Sequence, residues 1–205
     1  MSDLIYNVTK ELQSEGSESS FMDVGIHENV KMTNVEYGIT DKGNEFLAFY
    51  FVNETGEQLS HTEWKPSANL EAQKLESAVI NQMKRIKQIV TKFVPESEFV
   101  FVARSFKEFA ESVVRVLGKR YEGKRVRIKV VYSGKYTSLP SYTKFQFIES
   151  MDIPKEKSKI KILSLDKMSR EVKPDVETPT IDPISVLTSD LKSPSNTGTT
   201  ENLPF

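Results

Sequence analysis

Few residue types in this chain could carry chemistry, and they narrow the choices quickly. There is no cysteine, and there are two histidines, His27 and His61. Thiolate zinc sites, iron–sulfur clusters, disulfide frameworks and cysteine nucleophiles are therefore excluded, and imidazole catalysis has little material. His61-Thr62-Glu63 matches the H-x-E part of zinc deaminases, but the accompanying P-C-x-x-C cannot exist without cysteine. His27, His61 and Glu63 have the types of a facial metal site, yet nothing in their spacing demands one. The sequence holds no P-loop, no G-x-S-x-G elbow and no G-x-G-x-x-G. We expect a protein that is not an enzyme and that needs neither metal nor cofactor.

What remains is cations and flat rings. In Arg125–Tyr132 (RVRIKVVY), Val126, Ile128, Val130 and Tyr132 point one way while Arg125, Arg127 and Lys129 point the other. Three cations along one sheet face repel unless something anionic lies across them. A solvated outer face would also account for them. The following segment, Ser133–Lys144 (SGKYTSLPSYTK), tips the balance by adding Lys135, Tyr136, Tyr142 and Lys144. Bases interleaved with aromatics suit a single-stranded nucleic acid: cations track phosphates, and each unstacked base on a ring contributes roughly 1–3 kcal/mol. A duplex would need a basic helix or ribbon for its groove. Lys84, Arg85 and Lys87 instead alternate with the apolar face of a helix.

Two further rings are candidates. Trp64, the one tryptophan, shares its strand face with Ser60 and Thr62, while Leu59, His61 and Glu63 lie opposite. A lone tryptophan is most often a core anchor, and its polar face-mates strengthen the alternative, an exposed stacking platform. In the neighbouring strand Leu47, Phe49 and Phe51 form one face and Phe46, Ala48 and Tyr50 the other; Tyr50, whose hydroxyl tolerates water, is the ligand-facing choice.

These side chains need a sheet to hold them. Val24–Tyr37, Glu45–Asn53 and Gln58–Lys65 read as strands separated by turn signals. The apolar spacing of Leu70–Phe93 predicts a long amphipathic helix before Pro95, and Ser105-Phe-Lys-Glu108 is a capping box opening a second helix that Gly118 ends. Arg125–Tyr132 and Thr143–Glu149 alternate as strands, with Lys159–Leu165 as a possible edge strand. The expected class is all-β to α+β. This element order suits an OB-fold, a five-stranded Greek-key barrel with a two-helix insertion between strands 3 and 4; a generic α+β domain fits nearly as well. The long helix's apolar stripe could pack on the barrel or pair with another copy, as a homo-oligomer.

The chain has 205 residues, and Lys+Arg 28 against Asp+Glu 29 leave a formal net charge of -1. That balance conceals acidic ends around a basic Lys119–Lys144. The expected division is a flexible acidic segment 1–21, a nucleic-acid-binding domain 22–167, and an acidic disordered tail 168–205 containing five of the nine prolines. In that expectation the tail folds back over the basic groove until nucleic acid displaces it. No apolar run approaches the ~20 residues of a membrane span, and the N-terminal MSDLIYNVTKELQ lacks a signal-peptide core. A cytoplasmic location with no membrane partner is the expectation.

The chain closes with Glu201-Asn-Leu203-Pro204-Phe205, apolar residues around a proline beside a carboxylate. This ending resembles the tip of bacterial single-stranded DNA-binding proteins, which finish in an acidic run and Ile-Pro-Phe; here Glu201 is the one acid in the last five residues. Gly25–Lys31, Phe46–Phe51 and Ser60–Trp64 are similar to small replication proteins of tailed bacteriophages described as single-stranded DNA-binding, a resemblance covering about residues 22–150. The resemblance implies an OB-fold that coats single strands in replication, recombination or repair. It also implies that Leu203, Pro204 and Phe205 dock replication or recombination proteins, in a phage-encoded protein acting in its host's cytoplasm. The alternative is a protein-interaction module or recombination mediator. RNA remains open as well, because contact with a 2′-hydroxyl leaves no compositional trace.

Overall fold

A computed structural model describes residues 20–170. The expectations for the flexible segment up to residue 19, for the disordered tail from 171 onward, for its fold-back and for the tip Leu203-Pro204-Phe205 lie outside the described residues. The chain divides into units 1–171 and 172–205, and the described residues all belong to the first.

The first strand, β1 (Gly25–Ile39), is long enough to serve two neighbours. Its register shifts between His27 and Val30 and again between Met32 and Asn34, and Asn29 takes a left-handed φ of 55°, a conformation asparagine tolerates better than most residues. These irregularities bend the strand. Its later half pairs antiparallel with β2 (Glu45–Val52) after a turn in which Gly43, at φ 78°, donates to Thr40 O at 2.8 Å. Its first half pairs antiparallel with β4 (Val126–Ser133).

β3 (Gln58–Trp64) lies antiparallel on β2 with Phe46 opposite Trp64, Ala48 opposite Thr62 and Tyr50 opposite Ser60. Leu47, Phe49, Phe51 and Leu59 therefore face the core, where all four are buried. Two helices follow, α1 (Ala72–Val90) and α2 (Phe106–Leu117). α1 buries only its C-terminal half, through Gln82, Ile86, Ile89 and Val90. At the start of α2, Ser105 Oγ accepts from Glu108 N at 3.1 Å, and Glu108 reaches back to Arg104 N at 2.7 Å. The capping box works one residue wider than its simplest form. Val113 and Leu117 on α2, Ile86 and Ile89 on α1 and Phe93 just beyond it close the core against β1, β2 and β4.

β4 also pairs with two short strands, β5 (Tyr136–Ser138) and β6 (Ile148–Ser150). The strand order is β3-β2-β1-β4-β5 with β6 on β4; the described residues thus form an antiparallel open sheet of six strands plus two helices, an α+β fold. Four expectations need correction. The strand expected at Thr143–Glu149 is only β6, because Thr143 O is taken by the Gln88 side chain of α1 at 3.1 Å instead of a ladder, and the exposed Phe145 packs edge-on to Tyr142. Lys159–Leu165 forms no strand. The segment Ser133–Lys144, for which no strand is expected, contains β5, closed on β4 by a tight turn at Gly134, φ 64°. Phe21, assigned to the flexible segment, bridges to Gln58, which bonds both Ser20 O and Met22 N at 2.9 Å. Neither described helix is long and apolar enough to cross a membrane.

Candidate nucleic-acid interface

The outer face of β2 and β3 is a strip of rings. Phe46 lies over Gly38 of β1, where a Cβ would stand 2.4 Å from the ring, so the glycine makes room for it. Trp64 leans on Phe46 at 5.4 Å between centroids and stays 51% exposed. It is thus not a core anchor. Beyond the free side of Trp64 opens a trough of about 1040 Å³ between β3 and β5, walled by Ser60, Thr62, Trp64, Lys135, Tyr136 and Ser138, with Phe21, Tyr132 and Arg170 at its margins. Tyr136 is 69% exposed, and Lys135 Nζ stands over its ring at 5.3 Å. The Arg170 guanidinium lies 5.7 Å over the Tyr132 ring. Two cations and four rings thus share the trough with hydroxyls and one carboxylate, Asp23, which accepts from Val24 N at 2.8 Å.

The expected cationic face of β4 is not there. Arg127 and Lys129 are buried. Arg127 is ion-paired with Glu149 and, at 3.1 Å, with Glu28. Lys129 Nζ donates to Asp166 at 2.8 Å and to Lys161 O at 2.6 Å. Arg125 donates to Asn29 O at 3.2 Å. The anion lying across these cations is the protein's own set of carboxylates, carried by β1, β6 and the 159–168 segment. Tyr142 belongs to the same interior: its hydroxyl donates to Asp166 at 2.9 Å, and its ring lies 5.2 Å from Lys129 Nζ. Burial and that carboxylate raise its pKa. Burial would raise the pKa of Asp166, but bonds from Lys129, Leu163 N and Tyr142 bring it below the ordinary value.

Of the remaining expected residues, Trp64, Lys135 and Tyr136 come together in the trough. Tyr50 lies on the same outer face, but lines a neighbouring hollow that shares Phe21 and Ser60 with the trough. Its hydroxyl is committed to Glu36 at 2.5 Å, a bond that with burial pushes the phenol up to about 12. Lys144 is exposed over the Phe145 ring and lines no part of the trough. Phe21, Tyr132 and Arg170 were missed. Phe21 and Arg170 fall in segments whose composition suggests flexibility, and Tyr132 alternates with Val126, Ile128 and Val130 on the strand face opposite the cations.

A polar network underlies the trough. On the inner face of β3, Glu63 receives two bonds from Arg85 at 2.7 Å each, one from Gln82 and one from His61, both at 3.2 Å. Burial opposes its ionisation, yet the Arg85 and His61 bonds hold its pKa at about 2. His61 Nδ1 lies 2.9 Å from Ser138 Oγ on β5, which ties the two walls of the trough together. His27 is remote from this network and contacts Asp23 O at 2.8 Å, so the facial triad of His27, His61 and Glu63 does not assemble.

No family model matches this chain, and no curated protein matches it.

Proposed function

We propose that this protein binds single-stranded nucleic acid, DNA first, in the trough between β3 and β5, as a non-catalytic coating protein of replication, recombination or repair. The observation that carries this reading is the convergence of Trp64, Tyr136 and Tyr132 with Lys135 and Arg170 on one concave surface. Exposed rings meet unstacked bases, and the two cations meet phosphates. The trough has no protruding helix for a duplex groove, which supports a single strand. Its hydroxyls, Ser60, Thr62, Thr137 and Ser138, offer donors and acceptors to sugar and phosphate without a base code.

The fold supports the same reading through its similarity in outline to an OB-type barrel. β1 is shared by both halves of the sheet, the helices fall between β3 and β4, and the ends β3 and β5 are drawn together by His61 and Ser138. We retain the docking role of Leu203, Pro204 and Phe205 as part of the proposal, on the resemblance alone. The test is a titration of oligo-dT, oligo-U and a duplex of equal length against Trp64 fluorescence. Quenching by oligo-dT with no response to the duplex is expected. No response to either single strand at low salt would leave the interaction-module alternative.

A further inference from the structure

Between a single 3-10 turn at Glu96–Glu98 and α2, the chain runs through Phe99-Val-Phe-Val-Ala103, an apolar segment without a charge. Phe99 and Phe101 turn inward, packing edge-on to each other at 5.2 Å, with Phe101 continuing to Phe109 of α2 at 5.8 Å. Val100 and Val102 turn outward and are 79% and 90% exposed. Among the described residues, no hydrogen bond is made by the backbone of Val100–Ala103. This is a strand-like stretch of β-branched and aromatic residues with an open edge, unprotected by the charges or prolines that normally guard one. On its inner side lies an apolar groove of about 700 Å³, floored by Phe99, Phe101 and Phe109 and walled by Val79 and Met83 from the exposed half of α1.

We propose that this edge is the pairing surface for a second copy of the same chain, joined antiparallel about Phe101. Pairing about that centre sets Phe99 opposite Ala103, Val100 opposite Val102 and Glu98 opposite Arg104 of the other copy. The register is self-complementary in charge as well as in apolar character. Arg104 has no side-chain partner among the described residues, and Glu98 is held by the exposed Arg120, an ion pair that leaves its second oxygen open. Directly opposed residues share a face, so the second copy's Phe99 and Phe101 extend the groove floor towards Val79 and Met83, while the four valines cover one another on the outer side. One occupant thus explains both apolar features, whereas a helix lying in the groove would leave Val100 and Val102 in water. The contact is isologous, and it closes at two copies without growing into a filament.

Sedimentation equilibrium of the 205-residue chain tests this directly. The mass should climb from 23.4 kDa towards twice that value, with a midpoint of roughly 1–100 µM, as a short edge contact implies. Val102→Lys, at a position already in solvent, should keep the fold by circular dichroism and weaken association at least about tenfold. Arg104→Glu should weaken it about fivefold, and the doubly swapped Glu98→Arg/Arg104→Glu should regain the lost affinity, because each copy then presents the reversed pair. A chain that stays monomeric throughout that range overturns the proposal. So does a dimer indifferent to Val102→Lys, which would lie on another surface, or a double swap no better than Arg104→Glu.

Discussion

The salt dependence of binding distinguishes the trough from the broad basic face that the sequence suggested. Each phosphate neutralised on a single strand contributes about −0.7 to the slope of log affinity against log salt. The trough offers two cations, Lys135 and Arg170, which gives a slope of about −1.4 and a loss of about 25-fold per tenfold rise in salt. A face built from Arg125, Arg127, Lys129, Lys135 and Lys144 would neutralise five phosphates, for about −3.5 and a loss of about 3000-fold. Titrating oligo-dT against Trp64 fluorescence at four or more salt concentrations measures the slope. Lys135→Ala should bring it to about −0.7, because Lys135 is exposed and, among the described residues, bonded to no carboxylate. A wild-type slope steeper than about −3, or one that Lys135→Ala leaves unchanged, would refute the two-cation trough.

Stacking should dominate what salt does not touch: Trp64→Ala is expected to cost about 1–3 kcal/mol of oligo-dT affinity by anisotropy, with Trp64→Phe intermediate and the urea midpoint little changed. Gly38→Ala should displace the Phe46 ring, whose tip would meet the new methyl at 2.4 Å, and shift Trp64 emission to the red as its backing is lost. Glu63 is depressed from 4.5 to about 2 in the fold, so its contribution to stability is complete above about pH 4.5 and is lost as pH falls towards 2. The total is about 3 kcal/mol. In urea titrations between those limits, Glu63→Gln should flatten the decline. Asp166→Asn leaves Lys129 buried without its counter-charge and should cost about 3–5 kcal/mol of folding stability, read as a lower urea midpoint.

What the sequence disclosed depended on how local the signal was. The faces of β2 and β3 follow from alternation within eight residues, so the separation of Trp64, Thr62 and Ser60 from Leu59, His61 and Glu63 was legible, as were both helices and the cap at Ser105. Alternation also placed Arg127 and Lys129 together on the face away from Val126 and Ile128. It could not say what covers that face. Their partners are Glu28, Glu149 and Asp166, 99, 22 and 37 positions away, and no periodicity links such distances. The same limit hid β5, three residues long, and the pinning of Phe21 by Gln58, whose signal is a backbone bond that any side chain could make.

The buried pair at Lys129 nonetheless bears on the trough, by way of the chain that supplies its carboxylate. Asp166 Oδ2 accepts from Lys129 Nζ and from Leu163 N at 2.7 Å, and its Oδ1 accepts from the Tyr142 hydroxyl. One residue later, Lys167 O accepts from Tyr132 N at 2.8 Å, extending the edge of β4 beyond its pairing with β6. Three residues further on, Arg170 lies over the Tyr132 ring. The ion pair therefore fixes the strap that carries one of the trough's two cations. A cation that touches no ligand can still set the ligand's electrostatics, because removing it frees the segment that delivers Arg170. In this fold the basic run of β4 acts as an anchor, and the charge proposed to meet phosphate is brought in from the far side of that anchor.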